Sequence, residues 1–219
     1  MKEQYFTESN INKTARSLIE EIGKSVKIRK RRISGTDTAL VVLDMQDYFL
    51  NEESHAFVPS APAIIPGINK LINAFLKFPE NKLPLIFTKH INSDLNAGQM
   101  AAWWKELVNE NTEWGKITDN LIFPGATVVT KSQYDAFYQT DLEAILNENG
   151  IRQLIVTGVM THLCCESTIR AAFVRGFDVL FPVDGTATYN FDFHRSSFLN
   201  ISHGFATPVL IDDLLKQLE

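Results

Sequence analysis

Apolar residues recur at two different spacings along the chain. Over residues 9–26, Ile11, Ala15, Leu18, Ile19 and Ile22 return every three or four positions, which predicts one apolar face on a helix capped by Ser9 or Asn10. From residue 38 onward, short apolar runs alternate with helical stretches. The runs predict strands near 39–43, 83–88, 126–130, 153–157, 178–183 and 207–211. A helix starting near Pro66 carries Ile68, Leu71, Ile72 and Phe75 on one face. A second carries Leu142, Ile145 and Leu146 and stops at Gly150, and a third runs from Cys164 to Gly176. Six strands alternating with helices predict an α/β fold, a three-layer αβα open sheet that is mostly parallel. The chain divides into an N-terminal helical extension, residues 1–37, and one domain, residues 38–219.

Composition narrows the function classes. With 219 residues, 45% of them hydrophobic, and a net charge of -5, the chain has no overall surface for nucleic acid or anionic lipid. Lys27, Arg29, Lys30, Arg31 and Arg32 are a local basic run that could form a nucleic-acid or phosphate patch, although such runs are usually a solvated face or linker. No apolar run approaches the roughly 20 residues of a membrane span. Met1 to Arg16 lacks the apolar region of a signal peptide, and two adjacent cysteines build no disulfide framework, so the expected compartment is the cytoplasm. The expected partner is a small-molecule substrate, not nucleic acid and not a membrane.

In an open parallel sheet, ligands bind beyond the carboxyl ends of the strands. The first strand delivers Asp44, the second Lys89 and His90, the third Lys131, and the fourth passes through Gly158 to Cys164 and Cys165. A thiol at the opening of a helix faces unpaired NH groups and the positive end of the helix dipole, which predicts a low pKa for Cys164. Asp44 could take the thiol proton, Lys131 could stabilise the charge, and the thiolate could attack a carbonyl carbon. Each residue also fits a plainer role: the cysteines as buried small residues, Asp44 as a cap, Lys131 as an exposed lysine. Phe49, Trp103, Trp104, Trp114, Tyr134 and Phe137 are pocket walls or plain core. The five histidines are dispersed, so neither metal nor cofactor is expected.

Three segments carry a family resemblance. Leu43-Asp44-Met45-Gln46-Asp47-Tyr48-Phe49, Lys131-Ser132-Gln133-Tyr134-Asp135-Ala136-Phe137 and Gly158-Val159-Met160-Thr161-His162-Leu163-Cys164-Cys165 resemble the signature regions of the isochorismatase-like, or cysteine hydrolase, superfamily. The resemblance spans residues 38 to 212. It implies the isochorismatase-like hydrolase fold, catalytic Asp44, Lys131 and Cys164, a cis peptide at Val159-Met160, and an oxyanion hole formed by the backbone NH groups of Met160 and Cys164. Phe49, His90, Tyr134, Phe137 and His162 are the candidate substrate contacts. Isochorismatases are similar around His162 and Cys165 but carry Gly where this chain has Cys164, and they hydrolyse a vinyl ether without a thiol. Members with the thiol include nicotinamidases and N-carbamoyl hydrolases. Nicotinamidases bind a metal through an Asp-x-His motif after the second strand, which Phe87-Thr88-Lys89-His90-Ile91-Asn92 lacks.

The sequence therefore predicts a hydrolase of small amide or carbamoyl-type C–N bonds that works through a thioester. A vinyl-ether hydrolase and a non-catalytic binding protein are the alternatives. The apolar stripe on residues 9–26 has no assigned place on the sheet, so it either packs back on the domain or joins copies of the chain. Similar proteins are commonly homo-oligomers, and self-association is expected.

Overall fold

The structure, a computed structural model, describes residues 1–77, 84–104, 106–122 and 124–218. Among these residues, seven strands form one sheet: β1 (Thr38–Leu43), β2 (Leu85–His90), β3 (Thr127–Lys131), β4 (Gln153–Val159), β5 (Asp178–Pro182), β6 (Thr186–Ala187) and β7 (Thr207–Val209). Their order is β3-β2-β1-β4-β5-β7, with β6 paired to β4, and every pairing is parallel. The fold is the predicted three-layer open sheet, with one strand more than the six expected. The extra strand, β6, is two residues long, too short to leave a periodic signal. Residue 83, the start of one predicted run, lies outside the described residues; the rest of that run falls within β2 or just before it.

The order explains where a site can form. β1 pairs with β2 on one side and β4 on the other, so the chain leaves the centre of the sheet in opposite directions and opens a crevice at the carboxyl ends of β1 and β4. All residues of β1 and β4 are buried, as expected of central parallel strands.

Helix α1 (Ile11–Ser25) buries Ile11, Ala15, Leu18 and Ile22 in the same hydrophobic core as the sheet. Its stripe is therefore covered by its own chain and gives no surface for a second copy. The short α2 (Asp47–Leu50) follows β1. Helix α3 (Ala61–Lys77) begins five residues before the predicted start, and Pro66 lies inside it. The apolar face extends back to Ala61 and Ile64, and Pro62, next to the helix start, occupies the place given to Pro66. Among the remaining helices, α4 (Met100–Trp103) lies near the crevice, α5 (Leu142–Glu148) follows β3, and α6 (Glu166–Val174), α7 (Phe191–Gly204) and α8 (Ile211–Leu218) complete the layers. No helix among the described residues is long and apolar enough to cross a membrane.

Candidate active site

Asp44 leaves β1 in the left-handed region, at φ 51°, a conformation uncommon outside glycine. Its amide donates to Thr88 Oγ1 at 3.1 Å, and the Thr88 hydroxyl donates back to Asp44 Oδ1 at 2.6 Å. One side chain on β2 thus fixes both the backbone and the carboxylate. Lys131 ends β3, in register with His90. Its Nζ reaches back across the sheet to lie 2.7 Å from Asp44 Oδ2, and donates to Gln133 O at 2.9 Å and to Cys164 Sγ at 3.3 Å. The side chains of Asp44 and Lys131 are both fully buried.

Cys164 lies in a wide turn, Thr161–Cys165, between β4 and α6. The Met160 carbonyl accepts from both Leu163 N at 3.1 Å and Cys165 N at 3.2 Å, which closes the turn. The preceding peptide, Val159-Met160, is cis. Gly158 has φ 108°, and a Cβ there would lie 2.1 Å from Leu43 O, so only glycine lets β4 pass β1 at the crevice.

The low thiol pKa expected for Cys164 is not what this environment produces. Burial and the Asp44 carboxylate push the thiol up to about 12, against the lowering effect of Lys131. The helix α6 begins at Glu166, directly after the turn and two residues beyond the predicted start at Cys164. Burial raises the Asp44 pKa, but Lys131, then His90, outweigh it and hold the carboxyl below its ordinary value. Burial likewise lowers Lys131, and the Asp44 charge more than restores it. The resting site is a neutral thiol against an ion pair.

His90 completes the polar floor. Its Nδ1 lies 3.2 Å from Lys131 Nζ, which has only protons to offer, so Nδ1 accepts and Nε2–H donates to Asn92 Oδ1 at 2.9 Å. Asn92 Nδ2 in turn donates to Ser132 O at 2.8 Å. Burial lowers the His90 pKa to about 4, with Lys131 adding to the effect, so the ring is neutral in this role.

Asp44, His90 and Cys164 bring potential metal-ligand atoms within 4.8 Å of one another, a grouping that sequence spacing did not reveal. Lys131 Nζ is within 2.7 to 3.3 Å of an atom of each, so an ammonium already occupies the point where a cation would bind. This arrangement of residues does not fit a metal unless Lys131 leaves.

A cavity opens onto Cys164. Among the described residues its walls include Tyr48, Phe49, His55, Trp104, Tyr134, Met160 and Tyr189, with Asn92 and Glu106 as polar points. Trp104 Nε1 donates to the Tyr134 hydroxyl at 2.8 Å. Of the predicted contacts, Phe49, His90 and Tyr134 line this cavity. Phe137 and His162 do not. Phe137 stacks on Phe177 with ring centres 5.9 Å apart, under the Arg175 guanidinium, while His162 Nδ1 pairs with Thr188 Oγ1 at 2.5 Å and its ring stacks on Phe193. Burial lowers the His162 pKa to about 4, so it too is neutral. Trp103 is 78% exposed, and Trp114 packs against the core. Tyr48, His55, Asn92, Glu106 and Tyr189 were not singled out as contacts. Tyr48 and Asn92 had a sequence signal, since they lie in the segments that carry Asp44 and His90.

A carboxylate, an ammonium and a thiol thus meet at the carboxyl ends of the strands, where an open parallel sheet receives its ligand. The isochorismatase domain model matches residues 38–213, and the chain belongs to the isochorismatase-like hydrolase family. It is similar to nicotinamidase 3 of Arabidopsis thaliana, 31% identical over 200 residues that cover 89% of this chain and 96% of the relative. It is also similar to enterobactin synthase component B of Escherichia coli (strain K12), 30% identical over 181 residues, 81% of this chain and 62% of that protein. In fold it matches a cysteine hydrolase from Pseudomonas syringae pv. phaseolicola 1448A, with a TM-score of 0.82 at 24% identity, covering 87% of this chain and 96% of the other.

Proposed function

We propose that this protein hydrolyses a small uncharged amide or carbamoyl C–N bond, with Cys164 as nucleophile. The observation that carries the reading is the Lys131 ammonium, 2.7 Å from Asp44 and 3.3 Å from the sulfur of Cys164, which lines the cavity. Asp44 accepts the thiol proton as Sγ bonds to the carbonyl carbon, and Lys131 offsets the charges of both groups. The tetrahedral oxyanion is received by the backbone NH groups of Met160 and Cys164. Collapse breaks the C–N bond, the amine leaves with the proton from Asp44, and a thioester remains. Asp44 then takes a proton from water, which attacks the thioester, and the acid is released as the thiol is reprotonated. The similarity to a nicotinamidase supports an amide substrate.

The described walls are aromatic and apolar, with Glu106 as their carboxylate and no arginine or lysine among them. That lining favours an uncharged substrate over one with two carboxylates, such as isochorismate. The match to the isochorismatase domain keeps vinyl-ether hydrolysis as the second reading. A cytoplasmic location and self-association through a surface other than α1 belong to the same proposal. The test is turnover against small amides, carbamoyl compounds and isochorismate, with wild type and Cys164→Ala. Amide turnover lost in Cys164→Ala supports the proposal; isochorismate turnover that survives the substitution replaces it with the second reading, and no turnover of any compound leaves a binding protein.

A further inference from the structure

The first ten residues, which lie outside the matched domain, return to the site. Tyr5 and Phe6 are buried, and their amides both donate to Ser60 Oγ at 3.0 Å. Glu3 N donates to Tyr189 O at 2.8 Å, and Lys2 Nζ donates to the His55 carbonyl at 2.5 Å while lying 4.6 Å from the centre of the Tyr189 ring. His55 and Tyr189 are both walls of the cavity. The segment therefore ties together two loops that are far apart in sequence.

Its deepest group is the Tyr5 hydroxyl. This oxygen accepts the amide of Thr188 at 2.9 Å and lies 3.1 Å from His194 Nδ1. The same His194 nitrogen is 3.0 Å from Thr161 Oγ1. Thr161 opens the turn that carries Cys164, and Thr188 holds His162 of that turn through its own hydroxyl. His194 is fully buried, and burial lowers its pKa to about 3, so it serves here as a neutral bridge.

We infer that Tyr5 is a positioning residue for the nucleophile: through His194 and Thr161 its hydroxyl fixes the turn that aims Cys164 into the cavity, and residues 2–6 act as a strap across the site. The inference rests on Cys164 being the nucleophile. A turn between a strand and a helix has a few ways to relax by fractions of an ångström, and small misplacements of a reacting atom cost rate. A buried hydroxyl that holds His194, the partner of Thr161, and Thr188, the partner of His162, removes that freedom, whereas apolar packing alone would not specify an orientation.

The test compares Tyr5→Phe, Thr161→Val and the double variant in the full-length protein, reading kcat, KM and the rate at which iodoacetamide labels Cys164, located by peptide mapping. Tyr5→Phe keeps the ring and removes only the hydroxyl. The expected result is a fall of about three- to tenfold in both kcat and labelling rate, with KM changed by less than about twofold. Thr161→Val should show the same loss, Thr161→Ser should restore wild-type rates, and the double variant should be no slower than the slower single, because both break one chain of contacts. Wild-type labelling of Cys164 in folded Tyr5→Phe, or losses that multiply in the double variant, would overturn the inference. If Tyr5→Phe does not fold, the Thr161→Val and Thr161→Ser pair decides by the same criterion. Labelling needs no substrate, so a wild-type protein inactive on every amide would refute the proposed function while the strap is still judged.

Discussion

Asp44 and Lys131 meet at 2.7 Å with neither side chain reaching solvent, although one ends the central strand and the other lies two strands away. An ion pair so buried is costly to assemble and more costly to break, because the partner left behind has no water. The Asp44 carboxyl is held below its ordinary pKa, so its contribution to stability is full above that ordinary value and is lost as pH falls through the lowered one. Lys131 is held above its ordinary value, so its contribution persists until pH rises through the raised one. The pair therefore stabilises across the neutral range.

Lys131→Met should remove this window. With Asp44 buried opposite a methionine, stability at neutral pH should fall by about 3 kcal/mol or more. The carboxyl pKa then moves up, so the sign of the pH dependence reverses and the variant becomes more stable on mild acidification. Urea unfolding at about pH 7 and about pH 5 measures both effects. A variant as stable as wild type at neutral pH would mean that the pair is not buried as described.

The thiol offers a second check. Because burial and Asp44 push Cys164 up to about 12, its labelling rate should lack the thiol titration that an ordinary cysteine shows near pH 8 to 9. Asp44→Asn removes a charge that raises the thiol pKa and leaves Lys131, which lowers it, so labelling at neutral pH should quicken. Turnover should nevertheless fall by about a hundredfold or more, since no group remains to carry the proton to the leaving amine. Faster labelling with slower turnover separates a proton acceptor from a group that merely holds the site in shape. Peptide mapping should place the label on Cys164, since Cys165 is wholly buried and outside the cavity wall.

Two aromatic residues near the motifs should behave differently. Phe137 is packed on Phe177 and Arg175, away from the cavity, so Phe137→Leu should cost about 1 kcal/mol of stability and leave KM unchanged. Trp104→Phe deletes the hydrogen bond to Tyr134 within the cavity wall and should raise KM by about three- to tenfold with little change in melting temperature. Steady-state kinetics and thermal unfolding on both variants check the contrast.

The sequence by itself determined the alternating architecture and the placement of Asp44, Lys131 and Cys164 at strand ends, because the period of apolar residues and the carboxyl-end rule depend only on local order. It also gave a place to Gly158, whose role became visible only when Leu43 O proved to be 2.1 Å from where a Cβ would be. Tertiary structure decided the rest. Burial and the neighbouring carboxylate reversed the thiol pKa expected from the helix dipole, an effect of groups more than a hundred residues apart in sequence. It sent Phe137 and His162 into packing, placed Tyr48, His55 and Tyr189 around the cavity, and folded the stripe of α1 onto its own core. Loop positions such as these carry no periodic signal, and the contacts of Tyr5 with Thr188 and His194 exist only because the first and last thirds of the chain pack together.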